Sequence, residues 1–154
     1  ALGGGGLITG LGGKDFINGN AGTDYISSGG GDDVARGGAD NDFANGNAGN
    51  DFLFGDLGND ILRGGKGNDV LNGNAGDDRL FGDAGSDLFI LSKGNDVIED
   101  FRFSEGDLIA IVQGQSFSLS QEGNGLVITR EFGTTTLLDV DINQFNSVNP
   151  IQLI

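Results

Sequence analysis

The sequence predicts an all-β fold: a solenoid in which two nine-residue units make one coil, closed at its C-terminal end by an antiparallel β cap. Three observations predict it. Every ninth residue from Asp15 to Asp96 is an aspartate, ten times without insertion. Glycine and one apolar residue recur in the same register. After Glu99 glycine becomes scarce and the register stops. A strict short period makes equal positions stack from coil to coil.

With slot 1 placed at Ala1, Gly10, Gly19 and onward, eleven registers fit residues 1–99. Slot 4 is glycine in ten of them, Asp40 being the exception, and slot 1 is glycine in eight. Slot 6 is aspartate in all but the first, where Gly6 stands. Slot 8 is always apolar, from Ile8 and Ile17 through Ala35 and Ala44 to Leu53, Leu62, Leu71, Leu80, Phe89 and Ile98. Glycine at slots 1 and 4 permits positive φ and close backbone approach, so carbonyls can turn inward. The last three slots suit a brief strand with slot 8 pointing in and slots 7 and 9 out. Turn, strand, turn, strand then closes one coil in eighteen residues.

Two columns of turns result. One carries Asp15, Asp33, Asp51, Asp69 and Asp87; the other carries Asp24, Asp42, Asp60, Asp78 and Asp96. At a strand spacing of about 4.8 Å and an effective dielectric of about 20, adjacent unneutralised carboxylates repel by about 3.5 kcal/mol. Such a ladder implies a cation between its rungs. The donors are all oxygen, the carbonyls are flexible and six or more can gather, which favours Ca²⁺ over Mg²⁺. The gaps between turns accommodate about eight ions, and eight Ca²⁺ bring +16 against a formal net charge of −15.

Composition narrows the function classes. Aspartate supplies 19 of the 23 acids, and its short carboxylate suits turns and hard-metal ligation. There is no Cys and no His, which removes disulfides, thiolate sites and the usual zinc, haem and imidazole chemistry. Eight Lys and Arg against 23 acids argue against nucleic-acid binding. No stretch approaches the roughly 20 apolar residues of a membrane-spanning helix. The opening Ala1-Leu2-Gly3-Gly4 lacks the basic and apolar regions of a signal peptide. No catalytic constellation is present: the acids are accounted for by metal, and the expectation is a non-enzyme.

The unit resembles the GGxGxDxUx repeat of RTX (repeats-in-toxin) proteins, the haemolysin-type calcium-binding repeat. Its cleanest copies are Gly64-Gly65-Lys66-Gly67-Asn68-Asp69-Val70-Leu71-Asn72 and Gly55-Asp56-Leu57-Gly58-Asn59-Asp60-Ile61-Leu62-Arg63. The resemblance implies a parallel β-roll over residues 1–99, with Ca²⁺ held by the slot-6 carboxylates and by turn carbonyls. Those carbonyls include slot 4 (Gly13, Gly22, Gly31, Gly49, Gly58, Gly67, Gly76, Gly85) and slot 2 (Asn47, Asp56, Gly65, Asn74, Asp83). Gly6, Ser28, Asp40 and Leu91 depart from the pattern, and weaker sites are expected at both ends.

Residues 100–154 form the second unit. Leu108–Val112 and Ser116–Ser120 read as strands, Glu122-Gly123-Asn124-Gly125 as a turn, and Leu126–Arg130 with Thr134–Val140 as a hairpin-like pair. Asp141 is a helix N-cap for a short helix through Phe145. The segments around Asp96–Phe101, Glu105–Ile109 and Thr134–Leu138 resemble the stretch beyond the last repeat in many RTX proteins. That resemblance implies a type I secretion signal, a secreted, extracellular location and the type I secretion machinery as partner.

The first functional reading is thus a module that folds on Ca²⁺ outside the cell and supports secretion and stability of a larger protein. A second is an accessory module for an alginate-like polysaccharide, as in the R-modules of secreted alginate epimerases. A third is a structural or adhesin roll packing through the outward Phe52 and Phe54 face.

Overall fold

Each nonapeptide extends for six residues where the sequence suggested three. The structure, a computed structural model, describes residues 4–154. The sequence readings of Ala1, Leu2 and Gly3 lie outside the described residues. After β1 (Leu7–Thr9), eight six-residue strands succeed one another: β2 (Phe16–Ala21), β3 (Tyr25–Gly30), β4 (Val34–Ala39), β5 (Phe43–Ala48), β6 (Phe52–Leu57), β7 (Ile61–Lys66), β8 (Val70–Ala75) and β9 (Arg79–Ala84). Each runs through slots 7, 8 and 9 and on through slots 1, 2 and 3 of the next unit. Slot 1 alternates inward like slot 8, so a residue without a side chain continues the strand without filling the interior. The turn proper is only slots 4 to 6.

Positive φ occurs at slots 2 and 4, not at slots 1 and 4 as expected. Gly67 has φ +127° and Gly85 φ +137° at slot 4. At slot 2, Asn47, Asp56, Asn74 and Asp83 adopt φ of 71°, 77°, 72° and 65°. Asn and Asp are the non-glycine residues that tolerate this region best.

Odd and even strands separate into two sheets. One has the order β1-β3-β5-β7-β9, the other β10-β8-β6-β4-β2, with β10 at Leu88–Ile90. All pairs are parallel and keep the eighteen-residue register: Phe52 lies beside Val34 and Val70, and Ile61 beside Phe43 and Arg79. Parallel neighbours joined by alternate coils make a β-roll.

The C-terminal residues lengthen both sheets. β11 (Gly94–Ile98) pairs with β9, and β15 (Gly133–Leu137) adds to β11 in parallel. β12 (Leu108–Ile111) adds to β10 and β16 (Ile151–Leu153) to β12, again in parallel. Antiparallel pairing is confined to β13 (Phe117–Glu122), β14 (Gly125–Arg130) and β15. Helix α1 (Ile142–Val148) lies between β15 and β16; the Asp141 carboxylate accepts the Asn143 and Gln144 N–H groups as its N-cap.

The core is one side chain wide along the roll. Leu53, Leu62 and Leu71 are fully buried, but Ala35 and Ala44 thin the stack. It thickens at the C-terminal end, where Phe89, Phe101, Phe103 and Phe145 cluster; the Phe101 and Phe103 rings meet edge to face at 5.2 Å. Outside, Phe16 and Phe52 are exposed at slot 7. Phe54 is partly covered by the Arg36 guanidinium, 4.9 Å from its centroid.

Stacking of slot-4 glycines sets the closest approach between coils. A Cβ on Gly67 would lie 1.9 Å from Gly49 O, whereas one on Gly30 would meet nothing within 4 Å. Gly67→Ala is expected to cost at least about 1–3 kcal/mol in thermal melts of the folded roll. Gly30→Ala is expected to be nearly neutral, and equal losses in both variants would contradict this packing.

Candidate metal site

The slot-6 aspartates do not point to solvent. Asp24, Asp33, Asp42, Asp51, Asp60, Asp69, Asp78, Asp87 and Asp96 are all buried; Asp15 is partly so. From Asp33 to Asp96 each carboxylate bridges two coils. Its Oδ1 accepts the backbone N–H of the aspartate eighteen residues earlier: Asp42 from Asp24, Asp51 from Asp33, Asp60 from Asp42 and Asp69 from Asp51, at 2.7–2.8 Å. This bond fixes the rotamer and register of the whole column.

The other oxygen has no donor. Oδ2 of Asp24, Asp33, Asp42, Asp51, Asp60, Asp69 and Asp78 is buried without a hydrogen-bond partner. A buried unpaired carboxylate oxygen is costly unless a cation or proton meets it. The glycine at slot 1 explains where that oxygen goes. A Cβ on Gly46 would lie 2.3 Å from Asp51 Oδ2 and 2.6 Å from Gly64 O. On Gly55 it would lie 2.2 Å from Asp60 Oδ2 and 2.7 Å from Gly73 O. So the carboxylate of one turn and the slot-1 carbonyl of the next border one small space. Two acceptors face it and no donor does. Glycine at slot 1 is required for room, not for φ.

Slot-4 carbonyls reach the same seam. Gly31, Gly49, Gly58, Gly67 and Gly76 each direct their oxygen at the following coil, 1.8–2.1 Å from where a Cβ of its slot-4 residue would stand. Gly13 O approaches Gly31 in the same way. Gly22 and Gly85 hold positive φ at the equivalent turns. At slot 2, Asn47 O similarly abuts Gly65. The Asn74 carbonyl also accepts the Lys93 N–H at 2.9 Å. Asp56 and Asp83 direct their side chains outward into ion pairs with Arg36 and Arg63, leaving only their backbone for the turn.

Among the described residues, no three His, Cys, Asp or Glu side chains gather closely enough to hold a metal. Within a column the slot-6 carboxylates arrive one per coil, so an ion needs backbone carbonyls. This all-oxygen donor set and its orphaned carboxylates fit a hard divalent cation such as Ca²⁺.

Two features escaped the sequence reading. The slot-1 carbonyls join the seam, signalled only by the constancy of slot-1 glycine. Asp107 continues the first column past its fifth rung: its Oδ1 accepts the Asp87 N–H at 3.0 Å, and it is buried. Its offset of twenty residues hides it from a nine-residue count. Its Oδ2 accepts the Arg102 N–H at 2.7 Å, so this last rung is satisfied by the backbone alone.

The family description "RTX calcium-binding nonapeptide repeat" matches four times, over residues 2–35, 27–62, 36–71 and 63–98. Among solved structures, the extracellular lipase LipA from Serratia marcescens is similar with a TM-score of 0.55 at 17% sequence identity. The match covers 98% of this chain and 38% of that one. No curated protein sequence matches the chain.

Burial, reinforced by neighbouring carboxylates, pushes the Asp69 carboxyl up to about 6 and those of Asp60, Asp87 and Asp96 to about 7, the Arg130 guanidinium opposing the rise at Asp96. Asp42, Asp51 and Asp78 are raised for the same reason. Without metal, the folded chain therefore favours protonated carboxyls. The stability they contribute is fully present below about pH 4, where the unfolded chain also holds these protons, and is lost as pH rises through 6–7. In chelator, circular dichroism is expected to show more β structure near pH 4.5 than near pH 8. A signal that is flat over that range would overturn this assignment.

Proposed function

The chain belongs to the family of RTX calcium-binding nonapeptide repeat proteins, and on that premise we propose that its turns hold Ca²⁺ and that the ions drive its folding outside the cell. The ladder of buried carboxylate oxygens without donors carries this reading. The proposed ligands are the slot-6 carboxylates from Asp15 to Asp96, with the slot-1, slot-2 and slot-4 carbonyls of the adjoining turns. About eight ions, one per gap in the two columns, would neutralise the ladder.

The physical logic is a switch. Extracellular modules bind Ca²⁺ at about 10⁻⁴–10⁻³ M. At lower cytosolic Ca²⁺ the carboxylates repel and the thin core cannot hold the coils. In millimolar Ca²⁺ the ions bind only the folded form and pull folding forward by mass action. A chain that stays unfolded inside the cell suits export by type I machinery, with residues 1–99 as the calcium roll and 100–154 as its cap and signal. The lipase relative is described as extracellular, which is in keeping with this location. Because the chain spans 38% of that protein's length, no activity of the lipase is carried over. The reading here is a non-catalytic module of a larger secreted protein.

The polysaccharide reading has less support. Arg36, Arg63 and Arg79 are each tied to a carboxylate, at 2.5 to 2.7 Å, so they offer little free positive charge to a polyanion.

Far-UV circular dichroism and hydrodynamic radius are the test, monitored from chelator to about 10 mM Ca²⁺, with Mg²⁺ as control. A cooperative, Ca²⁺-specific gain of β structure with compaction is expected. A compact β signal already present in chelator at neutral pH would sink the proposal. Asp60→Asn keeps an acceptor for the Asp42 N–H but removes the charge; its folding midpoint is expected to need several-fold more Ca²⁺. Asp32→Asn, at an exposed carboxylate paired with Lys14, is expected to shift it little.

A further inference from the structure

The second column ends differently from the rest. Strand β15 extends the eighteen-residue pattern although the sequence has left it. Gly133 lies beside Gly94, Thr135 beside Asp96 and Leu137 beside Ile98. Gly133 has φ +144°, and a Cβ on it would lie 1.8 Å from Gly94 O, the same crowding Gly94 shows against Gly76 O. Leu137 is fully buried in the slot-8 position. Residues 133–137 therefore occupy slots 4 to 8 of a further unit in space, with threonine in the aspartate slot; Arg130 precedes them at the end of β14.

The seam between this unit and the turn 91–96 differs from the others in its residues. Leu91 replaces the slot-1 glycine and is buried. The Arg130 side chain is 2% exposed. Its Nη1 donates to Ser92 O at 2.6 Å, the slot-2 carbonyl of that turn. Its Nη2 donates to Thr135 Oγ1 at 3.0 Å and stands 4.0 Å from Asp96 Oδ2. Asp96 Oδ1 meanwhile accepts the Asp78 N–H, as the other rungs of its column accept theirs. The guanidinium thus faces the carboxylate oxygen and carbonyl that an ion in this gap would use.

The first column repeats the device in weaker form. Leu88 lies beside Leu108, and Arg102 stands in the connection that leads to this final unit. Arg102 Nη1 donates to Asp83 O, again the slot-2 carbonyl of the preceding turn, but its side chain is 43% exposed.

We infer that the Arg130 guanidinium is a built-in cation that fills the terminal ion position of the second column, so that this gap takes no Ca²⁺. The inference rests on the calcium reading of the other gaps. Its consequence is a last coil whose carboxylate is neutralised by a covalently attached charge. A planar guanidinium suits this place because it offers several fixed donors at once, where an ion would gather oxygens around a point.

Crystals of the unaltered chain grown in Ca²⁺ test it directly through anomalous difference density. Peaks are expected between the other turns and none beside Ser92 O and Asp96 Oδ2. A peak there, with Arg130 displaced, overturns the inference and leaves the calcium reading intact. No peak in any gap overturns both. In solution, Arg130→Gln strands the Asp96 charge and is expected to raise the Ca²⁺ midpoint for folding at least about threefold. Adding Asp96→Asn removes the stranded charge and is expected to restore the midpoint towards that of the unaltered chain. An Arg130→Gln defect that Asp96→Asn does not relieve means that packing alone is at stake, and it overturns the inference as well.

Discussion

A carboxylate buried with one oxygen satisfied and one bare is the constraint on which the rest of this protein depends. The satisfied oxygen, held by the N–H of the rung below, locks every coil to its neighbour. The bare oxygen faces carbonyls and no donors. Neither half can be changed alone. A longer Glu would overshoot the N–H, and a Cβ at slot-1 glycines such as Gly46 and Gly55 would fall within 2.3 Å of the bare oxygen. The dominance of Asp among the acids is therefore a geometric requirement and not merely a charge preference. It also fixes the chemistry: with hard oxygen donors alone, the seam selects a hard cation.

Glycine has two separate jobs in this frame. At slot 4 it lets one coil lie against the carbonyl of the previous coil, as Gly67 does on Gly49. At slot 1 it has ordinary φ and merely vacates volume, as Gly46 does for Asp51. Slot 2 also needs positive φ; at Gly38 and Gly65 a Cβ would press on the carbonyl of the previous coil, whereas Asn or Asp adopts it at Asn47, Asp56, Asn74 and Asp83. Their side chains are then free for surface pairing, and Asp56 and Asp83 take Arg36 and Arg63. One nine-residue unit so divides its work between a constant seam and an adjustable wall.

The period, the two columns and the slot-8 core were legible because each depends on residue type at fixed spacing, as Leu53, Leu62 and Leu71 illustrate. Strand length was not, because a slot-1 glycine reads as a turn signal while its backbone stays within the strand. The assignment of positive φ to slot 1 failed for the same reason. Asp107 and Arg130 were hidden by connections that break the count: a two-residue excess before Asp107, and the β13–β14 hairpin before β15. Register in a sheet is set by pairing across strands, and pairing survives insertions that erase a sequence period. Only Asp107-Leu108-Ile109 kept a local trace of the repeat.

The roll and its C-terminal end are stabilised by different forces. Around Ala35 and Ala44 the core is thin and the seam supplies the cohesion, so that stretch answers to the cation. At the other end Phe89, Phe101, Phe103 and Phe145 pack together under α1, and Arg130 neutralises Asp96 from within the chain. Apolar packing and a covalently held charge do not vary with ion concentration. Calcium dependence should therefore fall off along the solenoid towards the cap, and the cap-proximal coil is the surface on which ion-bound coils can add. On the proposed reading of one ion per gap, the repeat propagates only from an edge already in register, and this chain builds such an edge from aromatic rings and an arginine instead of from the ion itself.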